Sequence, residues 1–453
     1  MRGPHRARSS RRSSAERPNV LGIPEQTAFI DVPATRRLDN GLVIHALEAR
    51  HAPVVSLWVW YDVGGRNEVT GTTGMSHFLE HMLFKGTAAH PKGDLDRLLA
   101  RYGAQWNAFT NEDVTCYFET VPRDRYEVAL ELEADRMRNA LIAPEEVEAE
   151  RTVIVSEREG LENDPSFLLG ESLQAVAFDR HPYGQGVIGS KSDIKLMTRD
   201  GLYAHYRKHY APNNAYVVVV GDDRAETLID KAAAAFGSVA REPVVAPPLS
   251  PEPPQMGEKR LVVHRAGGAL PIVQAGFHTV AASDARAAAL SALAVALAGG
   301  GGGDSASGRS SRLYRALVEK ELATDVDASF GLTKDPYLFT LEATMRPGVA
   351  HQAVESVLLE ELARLADAPI GDAEFARVRR GLLASVAFPS DTITWRAYRL
   401  GSLLSSGAAA SIGAWYDALA AVTPADVRQA ARDTFVERSR TVGHFIPEES
   451  GAA

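Results

Sequence analysis

Arg241-Glu242-Pro243-Val244-Val245-Ala246-Pro247-Pro248-Leu249-Ser250-Pro251-Glu252-Pro253-Pro254 can be neither helix nor interior strand, because its prolines lack the backbone donor and fix φ. The run reads as an extended, semi-rigid linker near the middle of a 453-residue chain. The segments on its two sides open alike. Upstream, Gly41-Leu42-Val43-Ile44-His45-Ala46-Leu47 and Val54-Val55-Ser56-Leu57-Trp58-Val59-Trp60-Tyr61-Asp62-Val63 read as strands followed by a helix. Downstream, Leu261-Val262-Val263-His264 and Ile272-Val273-Gln274-Ala275-Gly276-Phe277-His278-Thr279-Val280 repeat the pattern, ahead of an alanine-rich helix from about Asp284. Such repetition implies an internal duplication of one α/β unit.

Within the first half, Gln105-Trp106-Asn107-Ala108-Phe109-Thr110 and Val114-Thr115-Cys116-Tyr117-Phe118-Glu119-Thr120-Val121 are predicted to pair antiparallel, turned at Asn111-Glu112-Asp113. Helices are predicted over about 124–140, 144–162 and 166–178, the middle one started by Pro144 at a first-turn position with Glu145 and Glu146 behind it. Interspersed strands and helices predict an α+β fold of two duplicated domains, each an antiparallel-rich mixed sheet with a face covered by helices. The expected layout is a disordered basic leader over 1–25, an N-terminal domain over 26–240, the linker over 241–258 and a homologous C-terminal domain over 259–448.

Composition narrows the function classes. Hydrophobic residues at 45% and charged residues at 24% are a globular mix, and no stretch approaches the roughly 20 continuous apolar residues of a membrane span. The formal charge is −9; the first 17 residues carry +5, so the remainder carries −14, an acidic body that argues against a nucleic-acid partner. The leader has the charge of an export n-region with no apolar h-region after it, and reads as a basic tail. The expected compartment is the cytoplasm, with periplasm and mitochondrial matrix as the alternatives. A single cysteine, Cys116, excludes an intrachain disulfide and a thiolate cluster, so a transition metal would have to be held by His, Asp or Glu.

One segment offers such a site. In a helix His77, Glu80 and His81 of His77-Phe78-Leu79-Glu80-His81 share a face, and two imidazoles one turn apart form a natural zinc clamp. A carboxylate beside them is placed to take a proton from an attacking water. The surrounding Phe, Leu and Met imply burial, and two buried histidines beside a glutamate are costly unless a cation organises them. His205 and His209 are also four apart but have no acid on their face, and read as packing or solvated residues. The third ligand is less determined, because many carboxylates follow; Glu150-Arg151-Thr152-Val153-Ile154-Val155-Ser156-Glu157 offers two glutamates seven apart on one face, interrupted by an apolar, buried Val-Ile-Val, and reads equally as a solvated acidic helix face. One could ligate and the other orient a histidine; their spacing does not rank them.

The stretch Gly74-Met75-Ser76-His77-Phe78-Leu79-Glu80-His81-Met82-Leu83-Phe84-Lys85-Gly86-Thr87 resembles the zinc helix of the pitrilysin/insulinase peptidases, the inverzincins, especially the short-chain group that includes mitochondrial processing peptidase. Asn107-Ala108-Phe109-Thr110 resembles that family's substrate-pairing edge strand, Glu150 through Glu157 its distal glutamate helix, and His181-Pro182-Tyr183-Gly184 a recurring loop. Tyr210-Ala211-Pro212-Asn213-Asn214 and Gly221-Asp222 resemble the close of its first domain, and the likeness spans about residues 30 to 445. It implies a zinc-dependent endopeptidase acting on unfolded peptides or oligopeptides, with one Zn2+ per chain. His77, His81 and Glu157 would be the ligands, Glu80 the base that activates water and Glu150 the supporting acid. Asn107 and Ala108 would contact a peptide added as an extra strand. The equivalent helix of the second half, Ala288 through Leu297, has no ligand.

The likeness breaks at one place. Active members carry an Arg and a Tyr seven apart in the second domain, which anchor substrate and stabilise the oxyanion. Here Leu317-Val318-Glu319-Lys320-Glu321-Leu322-Ala323-Thr324-Asp325 puts Val318 and Thr324 in their places, with one residue fewer between. Arg312, Tyr314 and Arg315 lie just upstream, in Ser310-Ser311-Arg312-Leu313-Tyr314-Arg315, which reads as an ordinary helix start. The departure implies a heterodimer in which a paralogous subunit supplies the Arg/Tyr pair; a non-catalytic core-protein-like subunit and a self-sufficient homodimeric peptidase are the alternatives. Gly299-Gly300-Gly301-Gly302-Gly303 reads as a tolerant surface insertion.

Overall fold

The computed structural model describes residues 32–243, 249–266, 270–299, 308–387 and 392–448. The expected leader over 1–25, the linker centre at 244–248 and Gly300 through Gly303 lie outside the described residues. The first half holds, in chain order, β1 (Ala34–Arg37), β2 (Val43–Glu48), β3 (Val54–Tyr61), α1 (Met75–Met82), α2 (Asp94–Arg101), β4 (Gln105–Thr110), β5 (Thr115–Pro122), α3 (Tyr126–Asn139), α4 (Pro144–Leu161), α5 (Pro165–Ala177), α6 (Lys191–Leu196), α7 (Arg199–His209), β6 (Ala215–Gly221) and α8 (Ala225–Phe236). The second holds β7 (Lys259–Ala266), β8 (Ile272–His278), α9 (Ala287–Ala298), β9 (Ala323–Phe330), β10 (Leu338–Met345), α10 (His351–Asp367), α11 (Asp372–Ala387), α12 (Ile393–Ser406), α13 (Ile412–Ala421), α14 (Pro424–Thr434) and β11 (Arg440–Glu448).

Two sheets form, ordered β1-β2-β6-β3-β5-β4 and β7-β11-β8-β10-β9. Setting β1 aside, they match strand for strand, down to the single parallel pair in each, β2 with β6 and β7 with β11. The fold is therefore the duplicated, antiparallel-rich α+β arrangement that the two similar openings predict. The zinc-type helix α1 follows β3 as α9 follows β8, and β4 and β9 occupy equivalent sheet edges.

Period-two alternation places β3 between two cores. Val55, Leu57, Val59 and Tyr61 face a core shared with α1, α3 and α8, whereas Trp58 and Trp60 face the core of the second half. What covers Trp60 is α12: a Cβ on Gly401 of that helix would lie 2.3 Å from the indole, so only glycine permits the approach. The reciprocal contact is made by α5, which leaves the first half to lie on the second sheet, where a Cβ at Gly276 would lie 2.8 Å from Leu173. Each half thus lends the other the helix that closes its sheet. The far end of the linker is pinned as well, since Glu252 accepts the N–H groups of Asp179, Arg180 and His181 at 2.7, 2.9 and 2.8 Å. No helix among the described residues is long and apolar enough to cross a membrane.

Candidate metal centre

The helix α1 begins without a capping side chain of its own. Its N-cap is Gly74, at φ 86, where a Cβ would meet the Ile188 carbonyl oxygen at 2.3 Å. The missing cap is supplied from a distance by Glu68, whose carboxylate accepts the N–H groups of Gly74 and Ser76, both at 2.6 Å. Burial raises the Glu68 pKa to about 7, against the pull of those donors. Phe78, Leu79 and Met82 then sink into the core, leaving His77, Glu80 and His81 on the remaining face.

Facing them is α4, with Pro144 in its first turn. Glu150 and Glu157 do share a face, but the expected buried Val-Ile-Val is corrected: Ile154 is fully buried, Val155 half-buried and Val153 exposed. Seven residues span two turns with a small rotation, so Val153 lies between the glutamates on the side that opens to solvent.

His77 Nε2 lies 3.7 Å from Glu157 Oε1 and His81 Nε2 lies 3.6 Å from Glu157 Oε2, and the three ligand atoms all fall within 4.8 Å of one another. These separations are too long for hydrogen bonds. Three donors about 2.1 Å from one tetrahedral ion would stand roughly 3.4 Å apart, so this set fits a zinc ion. The donor chemistry of His77 agrees. Burial, with the charge of His81 adding to it, lowers the His77 pKa to about 4, so its ring is neutral, as a ligand must be. Burial also opposes charge on His81, but the Glu150 hydrogen bond and the surrounding carboxylates outweigh it and raise its pKa.

Glu150 accepts from His81 Nδ1 at 2.8 Å and pairs with Lys85 at 2.5 Å. Its burial would raise its pKa, yet those two partners hold it below the ordinary value. His77 Nδ1, by contrast, is buried with no hydrogen-bond partner among the described residues. Glu80 is buried beside this group, its pKa raised by burial and checked by a hydrogen bond from Thr110 Oγ1 at 2.7 Å. The Tyr117 hydroxyl reaches the Leu79 and Glu80 carbonyls at 3.4 Å, and the Arg136 guanidinium lies 4.2 Å over the Tyr117 ring.

The strand β4 is the free edge of its sheet. Asn107 and Ala108 sit on it, and Asn107 Oδ1 already accepts the Ala108 N–H at 2.9 Å. In the second half, Val318 is half-buried against the core and Thr324 is exposed on β9. Arg312 is committed to Glu374 through two bonds of 2.7 and 2.9 Å, and the segment after it is a short π-helical turn, Tyr314–Val318, rather than an ordinary helix. His205 and His209 pack: His205 Nε2 is 3.2 Å from Ser76 Oγ, and burial lowers both pKa values, His209 to about 4. Glu68, Lys85, Thr110 and Tyr117 did not stand out in the sequence. The glycine that opens α1 implies a cap from elsewhere but does not say which residue supplies it.

Comparison with known proteins gives a consistent grouping. The family profile described as "Insulinase (Peptidase family M16)" matches residues 44–191, and "Peptidase M16 inactive domain" matches residues 197–382. An uncharacterized zinc protease of Streptomyces coelicolor is 30% identical over 388 residues, 84% of this chain and 82% of that protein. The mitochondrial-processing peptidase subunit beta of Lentinula edodes is 32% identical over 213 residues, 47% of this chain and 45% of that one. Among solved structures, a protease from Helicobacter pylori superposes with a TM-score of 0.87 at 27% identity, over 92% of this chain and 99% of the other.

Proposed function

We propose, since the chain belongs to the insulinase family of peptidases, family M16, that it is a zinc-dependent endopeptidase and the metal-bearing member of a heterodimer. The observation that carries the proposal is the convergence of His77, His81 and Glu157 within 4.8 Å beside the buried Glu80. Those three residues would hold the ion. When bound, zinc supplies Lewis acidity to the attacking water and to the scissile carbonyl. Glu80 takes the proton of that water and returns it to the leaving amine, with both carbonyl attack and C–N cleavage completed within reach of one carboxylate. Glu150 holds the His81 ring through Nδ1, which fixes the tautomer that leaves Nε2 free to ligate. The unpaired edge of β4 would align the peptide by main-chain bonds, a mode that selects extended, unfolded substrates.

The partner follows from what the second half lacks. Val318 has no donor to offer an oxyanion, Thr324 gives its hydroxyl proton to the Thr344 carbonyl at 3.2 Å, and Arg312 is held by Glu374. A paralogous subunit carrying the Arg/Tyr pair would complete the site. The test is cleavage of denatured casein by the purified chain alone and with that paralogue. Activity only in the mixture, abolished by 1,10-phenanthroline and restored by zinc, is expected. Robust activity of the chain alone overturns the heterodimer, and none in either preparation overturns the enzyme in favour of a structural subunit.

A further inference from the structure

The proton of Thr110 Oγ1 has two acceptors in range, Glu80 Oε2 at 2.7 Å and Thr115 Oγ1 at 3.4 Å. Thr115 spends its own hydroxyl proton on the Val63 carbonyl at 2.9 Å, so toward Thr110 it is an acceptor only. A hydroxyl has one proton to give, and the shorter, charge-assisted bond to the carboxylate takes it. Glu80 Oε1 carries no hydrogen bond among the described residues. The carboxylate is therefore held by one oxygen and open at the other.

Thr110 is also the last residue of β4. Its position is fixed by pairing with Thr115 and by the turn closed through the Asn111 N–H and the Val114 carbonyl at 2.9 Å. Alternation puts Thr110 on the same face as Ala108, against α1, one strand step from where an added peptide would align. We propose that Thr110 is the positioning residue of the base: it fixes the Glu80 carboxylate from the strand that receives the peptide, so one backbone registers both substrate and base. This rests on the peptidase reading of the site.

Thr110→Val keeps the β-branched shape and removes the proton, whereas Thr110→Ser keeps it. In the zinc-loaded heterodimer cleaving casein peptides, the valine variant should lose roughly 10- to 100-fold in kcat, the usual worth of one hydrogen bond to a charged group. Its KM and zinc content should stay those of the parent, and Thr110→Ser should restore kcat. Added to Glu80→Gln, the valine change should cost nothing more, because its action runs through that carboxylate. Crystal structures give a readout apart from activity: the Glu80 carboxylate stays against residue 110 in the serine variant and leaves in the valine variant. Unchanged kcat in Thr110→Val, a failure of serine to rescue, or an undisturbed Glu80 in its crystal structure overturns this inference alone. Absence of zinc-dependent cleavage by the parent overturns the peptidase reading and this inference with it.

Discussion

Glu80, Glu150 and Glu157 lie within one small volume but in three different surroundings. Glu80 is buried and half-satisfied, Glu150 is saturated by His81 and Lys85, and Glu157 is the most exposed of the three. Different losses should follow from the same substitution. Glu80→Gln should keep zinc and lose about 10²- to 10⁴-fold in kcat, the range of a general base. Glu157→Gln should lose the metal itself, seen as zinc content falling toward zero after dialysis. Glu150→Gln should weaken zinc affinity about 10- to 100-fold through His81, measured by competition with a chelator. The H-x-x-E-H pattern could be read without a structure because i, i+3 and i+4 meet on any helix. The two distal glutamates could not be ranked by spacing, since both lie on one face and the difference between them is set by Lys85 and by exposure at the helix surface.

At the scale of the element, α1 depends on a cap that lies outside it. Folded Glu68 keeps its proton up to about pH 7, while an unfolded glutamate loses it near 4.5. Between those values the folded state binds the extra proton, so the contribution of this group to stability falls as pH rises through the window. At about 1.4 kcal/mol per unit, the loss is at most about 3.5 kcal/mol. Glu68→Gln keeps an acceptor for the helix N-terminus and has no proton to lose. Urea unfolding at about pH 5 and pH 8 should show the parent losing stability relative to the variant on going to the higher pH; parallel behaviour of the two proteins would rule the effect out. The extent of β4 was legible to the residue, because alternation marks the strand and the Asn-Glu-Asp turn ends it. The role of Glu68 was not, since a lone acid in a loop looks the same whether it meets solvent or a helix end.

The whole molecule is less divisible than its proline-rich middle suggests. A helical periodicity shows that α5 and α12 each have an apolar face but not which sheet will receive it, so the exchange of these two helices was beyond reach of the sequence. Its consequence is mechanical. Trp58 and Trp60 belong to the first half by chain and to the second by packing, stacked at 5.8 Å between centroids with Tyr398 of α12 beside them. Gly401 is the point where the contact is tightest, and a leucine there must displace either the indole or the helix. Overpacking of this kind typically costs about 1–3 kcal/mol. If the halves were independent, Gly401→Leu would lower only the melting of the second half, and the tryptophans of β3 would report an unshifted transition. Because α12 closes the first sheet, calorimetry and fluorescence of those tryptophans should instead fall together, as one transition at a lower temperature. The same coupling reaches the candidate metal centre. Only three residues separate α4, with Glu157, from α5 on the second sheet, and Arg158 joins the two helices by paired bonds of 2.5 Å to Glu171. Gly401→Leu should therefore also loosen zinc, visible as faster loss to a chelator at temperatures well below unfolding, whereas a variant that melts earlier yet releases zinc at the parental rate would show that exchange of the helices stabilises the fold without bracing the ligands.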